Sequence, residues 1–219
     1  MIFVNYKTYE EGTGQKALGL TKALEEAAQE ARIKIIPVVQ TADIKEVSSS
    51  TILEIWAQKI DPVEFGANTG SVIAEAVVED GATGTFLNHS ENRLESFEEL
   101  AKASDIAKEA SLKTLIFASN LEELKNICSL NPNFVAYEPP ELIGSTTSSV
   151  AQANPEIIGK AVEIARLASI PLIVGAGIHS EQDIKKSLSL GAAGFAIATN
   201  IVKATNPKAA VLELAKGYQ

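Results

Sequence analysis

The sequence predicts an α/β protein, a single-domain (β/α)8 barrel with somewhat shortened helices, and three observations carry that expectation. Short apolar, often β-branched runs alternate with longer amphipathic stretches, the pattern of βα units around a parallel sheet. Eight such runs can be counted along the chain. Polar residues with chemical potential stand at the C-terminal ends of several of them, where barrel enzymes gather their chemistry.

The runs cover residues 2–5, 33–39, 51–56, 84–88, 113–118, 134–138, 170–175 and 194–198. Helix-like segments lie between them at 15–31, 97–110, 121–129, 155–168, 180–190 and 207–216. Start signals bracket several of these: Asn154 precedes Pro155, and Ser180 is followed by Asp183 in a capping-box pattern. Successive strand starts average about 27 residues apart, against about 250 residues for a usual barrel of this kind, so some helices must be short or missing. The spacing by itself also fits an open doubly wound sheet. The closed barrel is preferred because no glycine-rich dinucleotide fingerprint follows the first run, where Asn5-Tyr6-Lys7-Thr8 stands instead. No linker, repeat or low-complexity tract divides the 219 residues, so one catalytic domain over 1–219 is expected.

Composition narrows the function. The chain is 46% hydrophobic and 21% charged, which gives material for one sizeable core and no sign of disorder. A formal net charge of −9 without any Lys/Arg cluster repels a nucleic-acid backbone, so no nucleic-acid partner is expected. The field inside a cleft is local, so a small anion is still compatible wherever backbone N–H groups and a lysine converge. The lone Cys128 has no partner for an internal disulfide, and no Cys/His grouping has zinc-ligand spacing. The opening Met1-Ile2-Phe3-Val4 carries no basic leader, and no segment has the roughly 18 unbroken apolar residues of a membrane span. A cytoplasmic location without membrane contact is the expectation.

The candidate chemical residues follow the strand ends. Alternation along the first run points Asn5 and Lys7 to one face, placing a cation over an anionic substrate; an ordinary strand-end lysine is the plainer alternative. His89 follows the fourth run in Asn88-His89-Ser90-Glu91-Asn92-Arg93, before residues able to start a helical turn. A helix N-terminus would disfavour imidazolium there, leaving a neutral ring to donate to a developing oxyanion. Glu91 and Arg93 are candidates for pairing with each other or with neighbouring loops, in a structural role. Glu138 closes the sixth run directly before Pro139-Pro140, and proline holds the preceding residue extended, so this carboxylate leaves the strand in a fixed direction suited to a general base. The following Glu141-Leu142-Ile143-Gly144-Ser145-Thr146-Thr147-Ser148-Ser149, with its small and hydroxyl residues, has the make-up of a loop that closes over a site. Gly175-Ala176-Gly177-Ile178 and Ala198-Thr199-Asn200-Ile201 follow the seventh and eighth runs, the two loops with which barrels often bind phosphate. His179 beside them reads as a solvent-side loop residue.

Asn5-Tyr6-Lys7, Asn88-His89-Ser90-Glu91-Asn92-Arg93, Tyr137-Glu138-Pro139-Pro140-Glu141-Leu142-Ile143-Gly144 and Gly175-Ala176-Gly177-Ile178, in this order and spacing over essentially the whole chain, resemble the triose-phosphate isomerase family, specifically its short archaeal branch. The resemblance implies that Glu138 shuttles a proton between C1 and C2 of a phosphorylated triose, and that His89 polarises the carbonyl and enediolate oxygens. It makes Lys7 the offsetting cation, held with the substrate by Asn5. It assigns phosphate contacts to Ile143, Gly144, Gly177, Ala198 and Thr199, with Glu91 and Arg93 supporting the site. It implies no metal and no organic cofactor. Asn68-Thr69-Gly70 resembles the loop with which the family meets a partner subunit, so the resemblance implies a homodimer, with pairing into tetramers the other assembly open to it. Asn88 stands where the better-known bacterial and eukaryotic pattern has Gly, Thr199-Asn200 where it has Gly-Gly, and Thr146-Thr147 where the archaeal branch often has a Gly. Two other readings of the same residues remain beside this one: a Schiff-base aldolase using Lys7, and a barrel that binds a sugar phosphate without turnover.

Overall fold

A strand whose two faces are both covered is largely apolar, and residues of this kind dominate the eight strands of the described residues. They are β1 (Ile2–Asn5), β2 (Ile35–Val39), β3 (Ile55–Ala57), β4 (Ala82–Leu87), β5 (Lys113–Ala118), β6 (Phe134–Tyr137), β7 (Leu172–Val174) and β8 (Gly194–Ile197). The computed structural model describes residues 1–138 and 155–218. Every strand pairs in parallel with its neighbour in sequence, and β1 pairs with both β2, Ile2 opposite Ile35, and β8, Ile2 opposite Phe195. The sheet therefore closes as a barrel and leaves no edge strand.

Around it run α1 (Gln15–Ala31), α2 (Ile44–Ser48), α3 (Ala74–Glu79), α4 (Phe97–Glu109), α5 (Leu121–Cys128), α6 (Pro155–Leu167), α7 (Glu181–Ser189), α8 (Thr199–Val202) and α9 (Pro207–Ala215). The economy in length expected from the strand spacing falls on the second and third units, where α2 has 5 residues and α3 has 6. Side-chain caps start four of the helices, one of them the capping box that the sequence suggests at Ser180. Ser96, Asn120 and Asn206 each accept from the backbone N–H three residues on, and Ser180 with Asp183 forms a complete capping box. Asn154 lies outside the described residues. The third strand begins at Ile55 rather than residue 51, because Thr51 is held by the Glu25 carboxylate and opens a connection instead.

Alternation sorts the core into two compartments. Ile2 and Val4 point outward to the helices, and Phe3 points inward. The interior holds Phe3, Ile36, Val38, Trp56, Phe86, Leu115, Phe117, Ala136, Ile173 and Ala196, so the barrel is filled rather than hollow. Phe3 packs edge-on to Trp56, and Phe86 edge-on to Phe117, each with ring centres 4.9 Å apart. No described helix is long and apolar enough to cross a membrane.

Gly84 is the small residue that lets this interior close. A Cβ added there would lie 2.2 Å from Trp56 Cε2 and 2.4 Å from Cδ2, on a ring that is fully buried. Gly84→Ala should therefore destabilise the fold by about 1–3 kcal/mol through overpacking, read as a lower urea midpoint with unchanged slope. An unshifted midpoint would mean that the Trp56 ring has room to move away.

Candidate active site

The inward-pointing register of each strand continues one step past the apolar filling and ends in polar or small residues at the C-terminal rim. Two residues beyond Phe3 comes Asn5, beyond Trp56 comes Gln58, beyond Ala136 comes Glu138, beyond Ile173 comes Gly175 and beyond Ala196 comes Ala198. One pocket on that rim is lined by Asn5, Lys7, His89, Glu138, residues 175–179 and residues 196–200, with Phe86 and Phe117 as its apolar floor. Sequence positions spread over 195 residues thus meet in one place.

Lys7 leaves β1 with a left-handed backbone, φ 48°, which an L-residue adopts only when its surroundings hold it. The hold is visible. The Lys7 N–H donates to Asn5 Oδ1 at 2.9 Å, and the Lys7 carbonyl accepts from Gln58 Nε2 at 2.8 Å. Lys7 Nζ then lies 2.5 Å from Glu91 Oε1, an ion pair whose Glu91 side chain is about half exposed. In water such a pair contributes under about 1 kcal/mol, so its consequence is placement of the ammonium at the pocket rather than stability.

His89 does not stand at a helix N-terminus. The chain makes a turn from His89 to Asn92, closed by Asn92 N–H to His89 O at 2.8 Å, and α4 begins only at Phe97. Its neutrality has another cause. Burial against the apolar floor lowers its pKa from 6.5 to about 4, an effect to which the Lys7 charge adds and which Glu91 opposes. The ring lies edge-on to Phe117 with centres 4.9 Å apart. The Glu91 N–H donates to His89 Nδ1 at 3.1 Å, so the proton of the neutral ring sits on Nε2, 3.5 Å from the Asn5 amide nitrogen.

Glu138 is 7% exposed, and burial raises its pKa from 4.5 to about 7. Ser90 and the Lys7 charge offset part of that rise. Ser90 is near enough to Glu138 for this influence, while Glu138 Oε2 and Ser90 Oγ each lack a well-directed hydrogen-bond partner among the described residues. The carboxylate is poised beside the pocket with free acceptor capacity.

Glu91 and Arg93 do not pair with each other. Glu91 takes Lys7, and Arg93 bonds Glu123 on α5. Glu123 also accepts from Asn88 Nδ2 at 3.0 Å and from the N–H and hydroxyl of Ser119 at 2.7 Å each. Asn88, at φ 59°, donates as well to Phe117 O at 3.0 Å. This network fixes the turn that carries His89. Gln58 and Glu123 are the supporting residues that motif reading missed. Gln58 carries a signal, a polar residue two beyond an inward Trp56 at a strand end; Glu123, in the first turn of α5, reads as an ordinary helix-start acid.

His179 is exposed, as a loop residue should be, yet it lines the pocket. Gly177, Ala198 and Thr199 line the same side, whereas Ile143, Gly144 and Thr146-Thr147 lie outside the described residues. Among the described residues no group of three or more His, Cys, Asp or Glu side chains is placed to hold a metal.

Comparison with known proteins points to one family. The sequence profile of the family described as triosephosphate isomerase matches residues 1–216. Proteins named triosephosphate isomerase from Methanobrevibacter smithii and Methanobacterium bryantii are 38% and 40% identical over 216 residues, covering 98% of this chain and 96% and 95% of the relatives. One from Methanocaldococcus jannaschii is 35% identical over 218 residues, 99% of both chains. A crystal structure of triosephosphate isomerase from Bartonella henselae superposes with a TM-score of 0.78 over 99% of this chain and 98% of that one, at 18% identity, a likeness of fold.

The raised pKa of Glu138 has a consequence for stability. Because the folded state holds the proton more tightly than the unfolded chain, stability falls as pH rises from 4.5 to about 7 and stays lowered above it. Glu138→Gln removes the buried charge and keeps the shape. It should raise the unfolding free energy at pH 8 by on the order of 3 kcal/mol and change it little at pH 4, measured by urea unfolding at both pH values. Equal effects at the two pH values would show that the carboxylate is not desolvated.

Proposed function

The chain belongs to the triosephosphate isomerase family, and from that premise we propose that it interconverts D-glyceraldehyde 3-phosphate and dihydroxyacetone phosphate with Glu138, His89 and Lys7 as its catalytic groups. The observation that supports this reading best is the pair of opposed environments: a carboxylate that burial holds at about 7, and an imidazole that burial holds at about 4, on one pocket.

A carboxylate of that basicity is matched to removing a carbon acid's proton near neutrality. Glu138 takes the proton from C2 of the aldose, electrons move onto the carbonyl oxygen O1, the hydroxyl proton on O2 passes to O1, and the same carboxyl returns its proton to C1 as the O2 carbonyl of the ketose forms. His89 donates from Nε2 to the oxygen on which charge develops. A neutral donor is suited to this because imidazolium would hand over its proton outright, whereas the neutral ring stabilises charge as it grows. This division of labour is the family's established one. The Lys7 ammonium, aimed by Glu91 and by the held backbone of residues 5–7, offsets the negative charge of the substrate and the intermediate. Asn5 accepts the Lys7 N–H at Oδ1, and its amide group stands beside His89 Nε2 at the same rim. Gly177, Ala198 and Thr199 line the side of the pocket suited to the phosphate, with backbone N–H groups as donors. Burial of the reacting carbons protects an enediolate that would otherwise lose phosphate.

A homodimer accompanies this reading. The connection between β3 and α3 exposes residues 64–71, and Phe65 on it is 75% exposed, a large apolar side chain on the segment that includes Asn68-Thr69-Gly70. A reducing cytoplasm is the matching compartment. Sedimentation equilibrium should give twice the monomer mass for the wild type, and Phe65→Asp should shift the distribution toward monomer with a loss of activity. A monomeric active wild type would remove the dimer, and a fourfold mass would replace it with a tetramer.

The deciding assay is interconversion of the two triose phosphates by purified protein. Wild type should turn over and Glu138→Gln should lose at least about three orders of magnitude in kcat, without loss of fold. The kcat/KM of the wild type should rise with pH through a limb near 7, since Glu138 must be ionised and His89 is already neutral there. Substrate binding without turnover by the wild type would make the chain a sugar-phosphate-binding barrel instead.

A further inference from the structure

Two consecutive side chains after β8 reach in opposite directions along the rim. Thr199 Oγ1 lies 3.0 Å from the hydroxyl of Tyr9, in the connection after β1 that also carries Lys7. Asn200 Nδ2 donates to Ile178 O at 2.7 Å and lies 2.8 Å from His179 Nδ1, both in the connection after β7. An amide nitrogen carries two hydrogens, so one Nδ2 serves both acceptors at once, and a ring that accepts at Nδ1 carries its proton on Nε2. The far end is anchored in turn, because the His179 N–H and the Ser180 N–H each donate to Asp183 Oδ2 at 3.0 Å on α7.

The backbone that this chain of bonds spans is irregular. Gly177 is left-handed at φ 67°, and Ala198 has φ −123° and ψ −89°. No sheet ladder holds either residue, and ordering such backbone costs conformational entropy. If that cost fell at the moment of binding, it would be subtracted from affinity; side-chain bonds made beforehand remove it.

We propose that Asn200 is a positioning residue for the phosphate of the substrate: with Thr199, Tyr9 and His179 it forms a hydrogen-bonded strap that holds the connections after β1, β7 and β8 in register before the anion arrives. The inference rests on the reading of the pocket as a phosphorylated-triose site. Asn200 contributes its side chain to the neighbouring loop, so its effect reaches the substrate through the backbone of residues 177–179 and 198–200. Loss of the strap weakens the grip on the phosphate, read in KM and in the dissociation constant of a phosphate anion alike.

The test uses the full chain and inorganic phosphate as the anion probe. In Asn200→Ala the KM for glyceraldehyde 3-phosphate and the dissociation constant of inorganic phosphate should rise together by about tenfold, the equivalent of one to two hydrogen bonds. Loss of kcat/KM on unphosphorylated glyceraldehyde should be several-fold smaller. Tyr9→Phe, which cuts only the opposite end, should move the same constants in the same direction by about threefold. His179→Asn, which keeps an acceptor near the position of Nδ1, should recover most of the phosphate affinity lost in His179→Ala. Unchanged phosphate binding in a folded Asn200→Ala overturns the strap, as does an equal loss on phosphorylated and unphosphorylated substrates, which would mark a general disturbance. Phosphate binding by calorimetry needs no turnover. A wild type that binds phosphate and loses it on Asn200→Ala, but isomerises nothing, would therefore keep the strap and remove the isomerase reading, and a wild type that binds no phosphate would remove the strap.

Discussion

The aromatic filling of the barrel is the constraint on which the site depends. Phe3, Trp56, Phe86 and Phe117 occupy the interior, so neither water nor substrate reaches below the C-terminal rim. Whatever polar groups the strands carry toward the interior can only stand on top of this filling. There the same apolar surface that excludes water strips solvent from His89 and Glu138. The two shifts have opposite directions and one origin, since desolvation disfavours the charged form in each case: imidazolium for the histidine, carboxylate for the glutamate. A packed core and a tuned acid–base pair are therefore two results of one arrangement, in which Gly84 makes room for Trp56 and Trp56 helps complete the filling.

Above the filling, precision comes from short polar ties between connections rather than from the strands themselves. Glu91 shows how closely the parts are joined. Its backbone N–H sets which nitrogen of His89 bears the proton, and its carboxylate sets where the Lys7 ammonium lies. Displacing the turn that carries Glu91 would disturb both the electrophile and the cation. Glu123 braces that turn from α5 through Arg93 and Asn88, and Gln58 braces Lys7 from the end of β3. The left-handed backbone of Lys7 and Asn88 is tolerated because these bonds over-determine it.

The parts of this arrangement governed by alternation could be read from the sequence. Runs of β-branched and aromatic residues mark all eight strands, and counting by twos from Phe3 or Ala136 leads to Asn5 and Glu138 at the rim. Boundaries were less legible: β3 starts four residues later than its apolar run, because Thr51 is captured by Glu25 from α1, a contact between distant parts of the chain. His89 was legible as a rim residue, but its setting was not. The sequence suggests a helical start, whereas a turn leads on to α4, and the cause of the neutral ring is burial rather than a helix dipole. The bracing by Glu123 has no local signature, because its meaning arises only when β4, β5 and α5 are brought together.

Lys7 illustrates why the surroundings, and not the residue type, decide chemistry. A lysine at a barrel rim is the starting point for Schiff-base catalysis as readily as for charge compensation, and a Schiff base requires an unprotonated amine in a desolvated setting. Here the amine is 2.5 Å from a half-exposed carboxylate, and its backbone is fixed so that the side chain has little freedom to leave it. Such placement gives the amine a carboxylate partner in a partly wet setting, unlike the desolvated pocket of a Schiff-base lysine. In the proposed reaction the buried Glu138 supplies the complementary requirement: a carboxyl that is neutral or charged within the ordinary range of cellular pH can both take a proton and give it back. Charge that stays and charge that moves are assigned to different residues by their degree of burial, Glu91 and Lys7 at the wetter side of the pocket and Glu138 on the dry floor.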